Sequence, residues 1–247
     1  MTFVLPAVLL LVAATSFFSG IFGVAGGMIL MGGLVYLLPV SQSMLVHGLA
    51  QTMSNGARVV QWRSFIDFRI VWRFLAGAAV SVAVLAVVRF VPSKTLVLFL
   101  LGASILTMLS LPKDWAPKIT NPVVAVICGI LAAALMLTAG VSGTFVDQFF
   151  VRTALDRRIV VATKATMQTV LHAVKVVYFG TFAAFEIDET MVAVLFIVPV
   201  IAVLASNLGG KVLERMTDKQ FYWWIQRIVF CLGVFYVAVA LKQWFWH

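Results

Sequence analysis

Two sets of polar side chains, each spaced for one face of a helix, stand inside otherwise apolar stretches of this sequence. The first set, at positions i, i+4, i+8 and i+11, comprises His47, Gln51, Asn55 and Arg58. The second repeats that spacing 117 positions later and comprises Lys164, Gln168, His172 and Lys175. We call them the first quartet and the second quartet. Such spacing puts each quartet on one helix face. Neither contains a carboxylate, and both offer cations with amide or imidazole donors, so they favour an anion as ligand.

A glycine-rich break precedes each quartet, at Gly20–Gly27 in the first half and at Gly140–Thr144 in the second. A helix that starts at such a break points free backbone N–H groups and a partial positive charge beyond its end, which favours an anion. The alternative is that the glycines only allow close helix packing. The breaks and quartets together predict these substrate-binding residues: Gly26, Gly27, Gln51, Thr52, Asn55, Arg58, Ser142, Gly143, Thr144, Gln168, Thr169, His172 and Lys175.

Some of these residues have a simpler interpretation. Arg58 and Lys175 lie near the ends of their apolar stretches, and so does Lys164, so each could extend its amine or guanidinium to the membrane surface. Gln51, Gln168 and His172 lie near the middle of their helices, where a polar group is costly without a partner or a pathway. The central residues therefore carry most of the prediction.

The composition is that of an integral membrane protein with many spans. The chain of 247 residues is 63% hydrophobic and 11% charged, whereas soluble domains carry about 25% charged residues. The net charge of +9 comes mostly from short loops, the positive-inside pattern, so nucleic acid is not an expected partner. The bilayer and a small anion are the expected partners, and a homodimer is left open. The rule predicts that the basic loops 63–73, 112–118, 152–158 and 211–219 are cytoplasmic.

The repeated pattern predicts an all-α polytopic fold built from an internal duplication. The first repeat covers residues 1–111, a polar linker covers 112–122, and the second repeat covers 123–247. Each repeat is predicted to contain a broken or re-entrant helix pair followed by three transmembrane helices. Grouping the basic loops on one side requires each broken pair to enter and leave by the same side, which makes the two repeats inverted.

The motifs resemble those of the sulfite exporter TauE/SafE family, also described as toluene sulfonate uptake permeases. The resemblance rests on the run Ser19-Gly-Ile-Phe-Gly-Val-Ala-Gly-Gly-Met, the turn at Pro39, and the polar helix that follows. The second half departs from the pattern, because Thr144 replaces a glycine and Asp156-Arg157-Arg158 replaces the proline turn. The resemblance implies a transporter, often an exporter, of sulfite, sulfonates or related anions in the bacterial inner membrane.

Three residues are candidates for coupling transport to protons: His172, Asp147 and His47. Histidine titrates near neutral pH, which suits that role. The cysteines and histidines lack metal-site spacing, so neither a metal nor a cofactor is expected. The chain also lacks a nucleophile paired with a base, so we expect no enzyme. The alternatives to a transporter are an anion channel, an intramembrane enzyme acting on a lipid, and a scaffold protein.

Overall fold

A computed structural model describes residues 4–22, 24–110, 116–182, 189–213, 215 and 218–245 of the chain, and these residues form an all-helical fold. The predicted fold class is therefore confirmed. The described helices are α1 (Val4–Phe22), α2 (Val24–Leu37), α3 (Val40–Trp62), α4 (Phe68–Val87), α5 (Lys94–Ser110), α6 (Pro122–Thr138), α7 (Gly143–Gln148), α8 (Arg157–Phe182), α9 (Glu189–Leu213) and α10 (Asp218–Phe245).

Four helices among the described residues are long and apolar enough to cross a membrane. Their qualifying stretches are Val4–Ile21, Phe68–Val87, Met191–Val212 and Gln226–Phe245. The helices α3 and α8 are also long, with 23 and 26 residues, but they carry the polar quartets. The fold therefore surrounds two polar helices with apolar ones.

The first glycine break turns the chain back on itself. Helix α2 begins at Val24 and packs closely along α1. A Cβ added to Gly26 would overlap the backbone of Thr15, and Gly33 faces Leu11. The 14 residues of α2 extend about 21 Å, less than the roughly 30 Å hydrocarbon thickness. The pair α1–α2 is therefore a helical hairpin with one short arm; Gly23 lies outside the described residues.

The second break is sharper. Gly140 has a φ of +81°, a conformation that glycine adopts without strain. Helix α7 covers only the six residues Gly143–Gln148. It ends there because the Phe149 carbonyl accepts from the N–H of Ile119 at 2.9 Å instead of continuing the helix. The side chains of Phe149 and Ile119 are both buried in one apolar cluster.

The two polar helices α3 and α8 pack against each other in antiparallel orientation. Leu45 lies opposite Gly180, while near the other end Gly56 lies opposite Thr169. Helices α5 and α10 also pack antiparallel, with Thr95 bonded to Gln243. These two pairs place corresponding helices of the predicted repeats side by side.

The remaining long helices exchange partners between the halves. Helix α1 packs on α9 and α4 packs on α6. Both contacts are backbone to backbone: a Cβ on Gly20 would overlap the carbonyl of Ser206, and a Cβ on Gly129 would overlap that of Phe74. Small residues permit such close approach in membrane helices. Each half therefore supplies a helix that completes the other.

Contacts place the loops 63–73 and 152–158, together with Lys211, at one end of the bundle. The Arg158 guanidinium lies 4.6 Å from the ring centroid of Phe65, and the Asp67 N–H donates to the Thr163 hydroxyl. Hydrogen bonds from Arg158 also lower the pKa of Asp156 below its usual value. In α9 the basic Lys211 lies in the last turn and lines a cavity with Gln61 from the end of α3. The predicted linker is described from residue 116 onward, and the loop 211–219 is described at residues 211–213, 215 and 218–219.

Candidate functional site

A cavity of about 80 Å³ lies between α3, α8 and the two glycine breaks. It brings together members of both quartets and of both breaks. The lining residues are Ser19, Gly27, His47, Gln51, Asn55, Arg58, Val141, Ser142, Gly143, Lys164, Gln168 and His172. None of these described lining residues is a carboxylate. We call this space the central cavity.

The first-half side of the central cavity is a short chain of amides. Gly27 faces Gln51 so closely that an added Cβ would lie 3.0 Å from Gln51 Nε2. The Asn55 amide donates to the Gln51 backbone oxygen at 2.9 Å and to its Oε1 at 3.4 Å. These contacts hold two amide groups side by side and leave Gln51 Nε2 as a donor near the first break.

On the second-half side the glutamine Gln168 faces a hydroxyl, whereas on the first-half side Gln51 faces a glycine. Gln168 Nε2 donates to the Ser142 hydroxyl at 3.3 Å. His172 is 4% exposed, and among the described residues its buried Nδ1 has no hydrogen-bond partner. Lys164 forms an ion pair with Asp147, whose side chain is partly exposed. A polar ligand in the cavity could supply the partner that His172 lacks.

A buried chain of hydrogen bonds joins the two breaks behind this cavity. The Nε2 atom of His47 lies 2.9 Å from the Gly27 carbonyl oxygen, and His47 Nδ1 lies 2.7 Å from Lys175 Nζ. Lys175 also donates to the Gly140 carbonyl at 2.8 Å. A carbonyl oxygen can only accept, so Nε2 of His47 carries a hydrogen, and Nδ1 of a neutral imidazole accepts from Lys175. The His47 ring lies 5.3 Å from that of His172.

The last cation of each quartet binds the carbonyl end of the first helix in its own half. Arg58 donates to the Ser19 carbonyl in the last turn of α1 at 3.2 Å and to Asn55 Oδ1 at 3.2 Å. Lys175 donates to Gly140, just beyond the end of α6. The last carbonyls of a helix lack intrahelical partners and carry partial negative charge. Both cations therefore stabilise the breaks as well as the cavity.

The remaining predicted residues lie away from the cavity lining. Thr52 and Thr169 donate to the carbonyls four residues earlier in their own helices, at 2.7 and 2.8 Å. Gly26 packs on α1, as the close-packing alternative proposed. Lys175 reaches the lining through His47, and Asp147 reaches it through Lys164. The other is Thr144, a partly buried residue of α7.

Sequence reasoning missed three residues that line the cavity: Ser19, Val141, and Lys164, for which extension to the membrane surface was favoured. Ser19 contributes through its backbone, which binds Arg58. Its position beside the first break was the available signal, because the last turn of a helix exposes its carbonyls. Val141 is apolar and follows Gly140 directly, so its residue type gives no sign of a cavity.

Comparison with known proteins gives a family. The sequence pattern of the family described as Sulfite exporter TauE/SafE matches residues 8–237, almost the whole chain. No curated protein and no solved structure matches the chain. The matched region contains both breaks, both quartets and the central cavity. The resemblance seen in the sequence is thereby confirmed: this chain belongs to the TauE/SafE sulfite exporter family of membrane transporters, and it is not an enzyme.

Proposed function

We propose that this protein is a secondary transporter that carries a small sulfur oxyanion, such as sulfite, through the central cavity. The observation that carries the proposal is the lining itself. Gln51, Asn55 and Gln168 offer amide donors, Arg58 offers a guanidinium, and no carboxylate is present among the described lining residues. Such donors recognise an oxyanion, and a charged acceptor makes each hydrogen bond stronger than a neutral one.

The size of the cavity favours a small ion over an aromatic sulfonate. Its volume is only about 80 Å³, which is space for a few molecules of the size of water. Pockets for drug-sized ligands are typically about 300–1,000 Å³. A sulfur atom with its oxygens fits that space, whereas a toluene ring attached to it requires the walls to move. We therefore place sulfite before the organosulfonates in order of preference.

The arrangement of helices supports alternating access between two inverted repeats. The corresponding helices α3 and α8 run antiparallel, as do α5 and α10. Inversion of one repeat relative to the other produces that orientation, and transporters with inverted repeats bind their substrate near the bilayer midplane between broken helices. The two glycine breaks flank the central cavity in this way. Movement around it exposes the site first to one side and then to the other.

Among the candidates for proton coupling, His172 has the strongest support. It lines the cavity, and its buried Nδ1 is unpartnered among the described residues. His47 is occupied by the Gly27 carbonyl and Lys175, and Asp147 is occupied by Lys164. A proton taken by His172 adds a positive charge beside the bound anion and raises its affinity. This pairing links proton binding to anion binding.

The basic loops give the proposed orientation. The described parts of 63–73 and 152–158 are in contact, and Lys211 lies at the same end. By the positive-inside rule this end faces the cytoplasm of a bacterial cell with the protein in its inner membrane. Export then starts from the end at which α3 finishes.

The test is transport of labelled sulfite by purified protein in proteoliposomes. Wild type is compared with Gln51→Ala, Gln168→Ala and Arg58→Ala, with Gln226→Ala as the control because Gln226 is exposed on α10. We expect saturable flux that the first three changes reduce and the control does not. Preloaded unlabelled sulfite should accelerate uptake of label, which is typical of a carrier and not of a channel.

Two results would contradict this proposal. Flux that survives both glutamine changes would move the site away from the central cavity. Flux without saturation or exchange acceleration would favour the anion channel. The amount of folded protein, measured by size-exclusion chromatography, separates loss of transport from loss of the fold.

A further inference from the structure

A second cavity, of about 320 Å³, lies beside the central one between α1, α3 and α9. Arg58 lines both spaces, so they adjoin at this residue. The other lining residues are Gly20, Ser54, Ala57, Gln61, Val203, Ser206, Asn207, Gly210 and Lys211. We call this space the vestibule. It lies toward the end of the bundle that carries the basic loops, because Gln61 is in the last turn of α3 and Lys211 is in the last turn of α9.

Two helical stripes make the vestibule polar. Ser54, Arg58 and Gln61 follow one face of α3, and Ser206, Asn207 and Lys211 follow one face of α9. Positions three to four residues apart share a helix face. The α9 stripe interrupts an otherwise apolar spanning helix, and packing against lipid does not require amide and hydroxyl groups there. The stripes therefore form a polar passage between two helices of different halves.

The charge of the vestibule is positive. Arg58 and Lys211 lie in its lining, and none of its described lining residues is acidic. A lysine at a helix C-terminus usually complements the helix dipole, and that alone would account for Lys211 on an isolated helix. Here it shares a cavity with a second cation. A cleft lined by one sign of charge raises the local concentration of ions of the opposite sign.

Arg58 holds the boundary between the two cavities. Its guanidinium is bonded to the Ser19 carbonyl and to Asn55 Oδ1, both on the central side. Arginine binds oxyanions through two parallel N–H groups. An arriving anion can therefore take the place of the Ser19 carbonyl without leaving the guanidinium unpartnered.

We propose that the vestibule is a second oxyanion-binding site, at which Lys211 and Arg58 capture the anion, and that Arg58 then passes it to the central cavity. This inference rests on the proposed function for its substrate, and it adds a binding site, an entry side and a residue, Lys211, that the central cavity does not contain. The structure is accordingly the state that receives its substrate from the basic end.

The first experiment measures the charge preference of the vestibule without transport. Asn207→Cys is introduced after Cys128 and Cys231 are replaced by alanine, and the thiol is labelled with an anionic or a cationic thiosulfonate reagent of similar size. Asn207 is exposed, so the variant is expected to fold. We expect the anionic reagent to react about ten times faster than the cationic one, a difference of about 1.4 kcal/mol. Lys211→Gln should reduce that ratio several-fold.

The matched control is Arg215→Gln. Arg215 lies four residues from Lys211 and is exposed, but it does not line the vestibule. If Arg215→Gln reduces the ratio as much as Lys211→Gln does, the effect is a general surface potential and the proposal is wrong. Equal rates for the two reagents would also overturn it.

The second experiment measures sulfite uptake from each side in oriented vesicles. Lys211→Gln is expected to raise the half-saturation concentration several-fold when sulfite is added at the basic end, with little change in the maximal rate or from the opposite side. An unchanged half-saturation concentration would contradict the entry role. Absence of all flux with the labelling preference intact would instead overturn the proposed function and leave the vestibule as an anion site.

Discussion

The two quartets have the same spacing in sequence and different surroundings in the structure. Arg58, at the end of the first, is partly exposed and borders two cavities. Lys175, at the equivalent position of the second, is fully buried and bonded to His47 and Gly140. A protein with inverted repeats has to be asymmetric whenever its site faces one side. Under the proposed mechanism, the difference between these two cations defines the state observed, and the two cations exchange environments in the other.

The largest expected effect comes from removing the buried cation. Lys175→Met leaves His47 Nδ1 and the Gly140 carbonyl without their donor, and an unsatisfied buried polar group costs about 1–3 kcal/mol. Arg58→Met should destabilise less, because water from the vestibule can replace the guanidinium. Thermal unfolding of both variants in detergent measures the loss of stability. Equal losses would contradict the difference proposed between the two cations. Lys175→Arg is not expected to retain the stability of the wild type, because Lys175 is fully buried and the arginine side chain is larger.

The second effect distinguishes Gly27 from Thr144, its equivalent 117 positions later. A Cβ at Gly27 would lie 3.0 Å from Gln51 Nε2 and force that amide to shift. We expect Gly27→Ala to lower sulfite uptake about tenfold, or about 1.4 kcal/mol. Thr144→Ala should change it little, because Thr144 does not line the cavity. Uptake rates of the two variants decide the point, and equal reductions would contradict it.

A smaller effect is expected from the ion pair present in one half only. Asp147→Asn releases Lys164, which lines the central cavity, to attract the anion. Because partly exposed ion pairs contribute about 0–1 kcal/mol, we expect the half-saturation concentration to fall a few-fold without loss of fold. Asp156→Asn is the control, since its partner Arg158 lies outside the cavity. A rise in half-saturation concentration for Asp147→Asn would show that the carboxylate itself takes part.

The smallest effect is expected at the paired threonines. Thr52 and Thr169 bond within their own helices, so Thr52→Val and Thr169→Val should each change uptake less than about twofold. Such internal bonds contribute little to helix stability. Transport measured beside Gln51→Ala and Gln168→Ala provides the scale. A large loss in either variant would return that threonine to the substrate path.

The sequence predicted which helix faces come together, and it did so through Gln51 and Gln168. An amide in the middle of an apolar helix has few physical explanations, and its recurrence after 117 positions removed most of them. The same logic placed His172 beside the site. What the spacing could not give was the partner of each cation, because Arg58 and Lys175 bind backbone carbonyls, which every residue possesses.

The vestibule and the exchange of helices were not predictable for a different reason. Asn207 and Ser206 lie in a stretch whose composition predicts only an apolar spanning helix. They contribute to the vestibule because they face α3, which the sequence of α9 alone does not show. Likewise, the sequence around Gly20 and Gly129 does not reveal which helix covers each glycine. Contacts between helices far apart in the chain leave no periodic signal in either helix alone.

The contact between α1 and α9 has a consequence for how the protein is made. Helix α1 is synthesised well before α9, yet Gly20 is covered by Ser206 and its neighbours, which follow 186–190 residues later. At about 5–20 residues per second, α1 waits roughly 10–40 seconds for α9, whereas Gly129 of α6 follows Phe74 of α4 after roughly 3–11 seconds. During that interval the bare backbone groove of α1 faces lipid or the insertion machinery. A chain that stops before α9 therefore leaves α1 packed on α2 but with its α9-facing side uncovered.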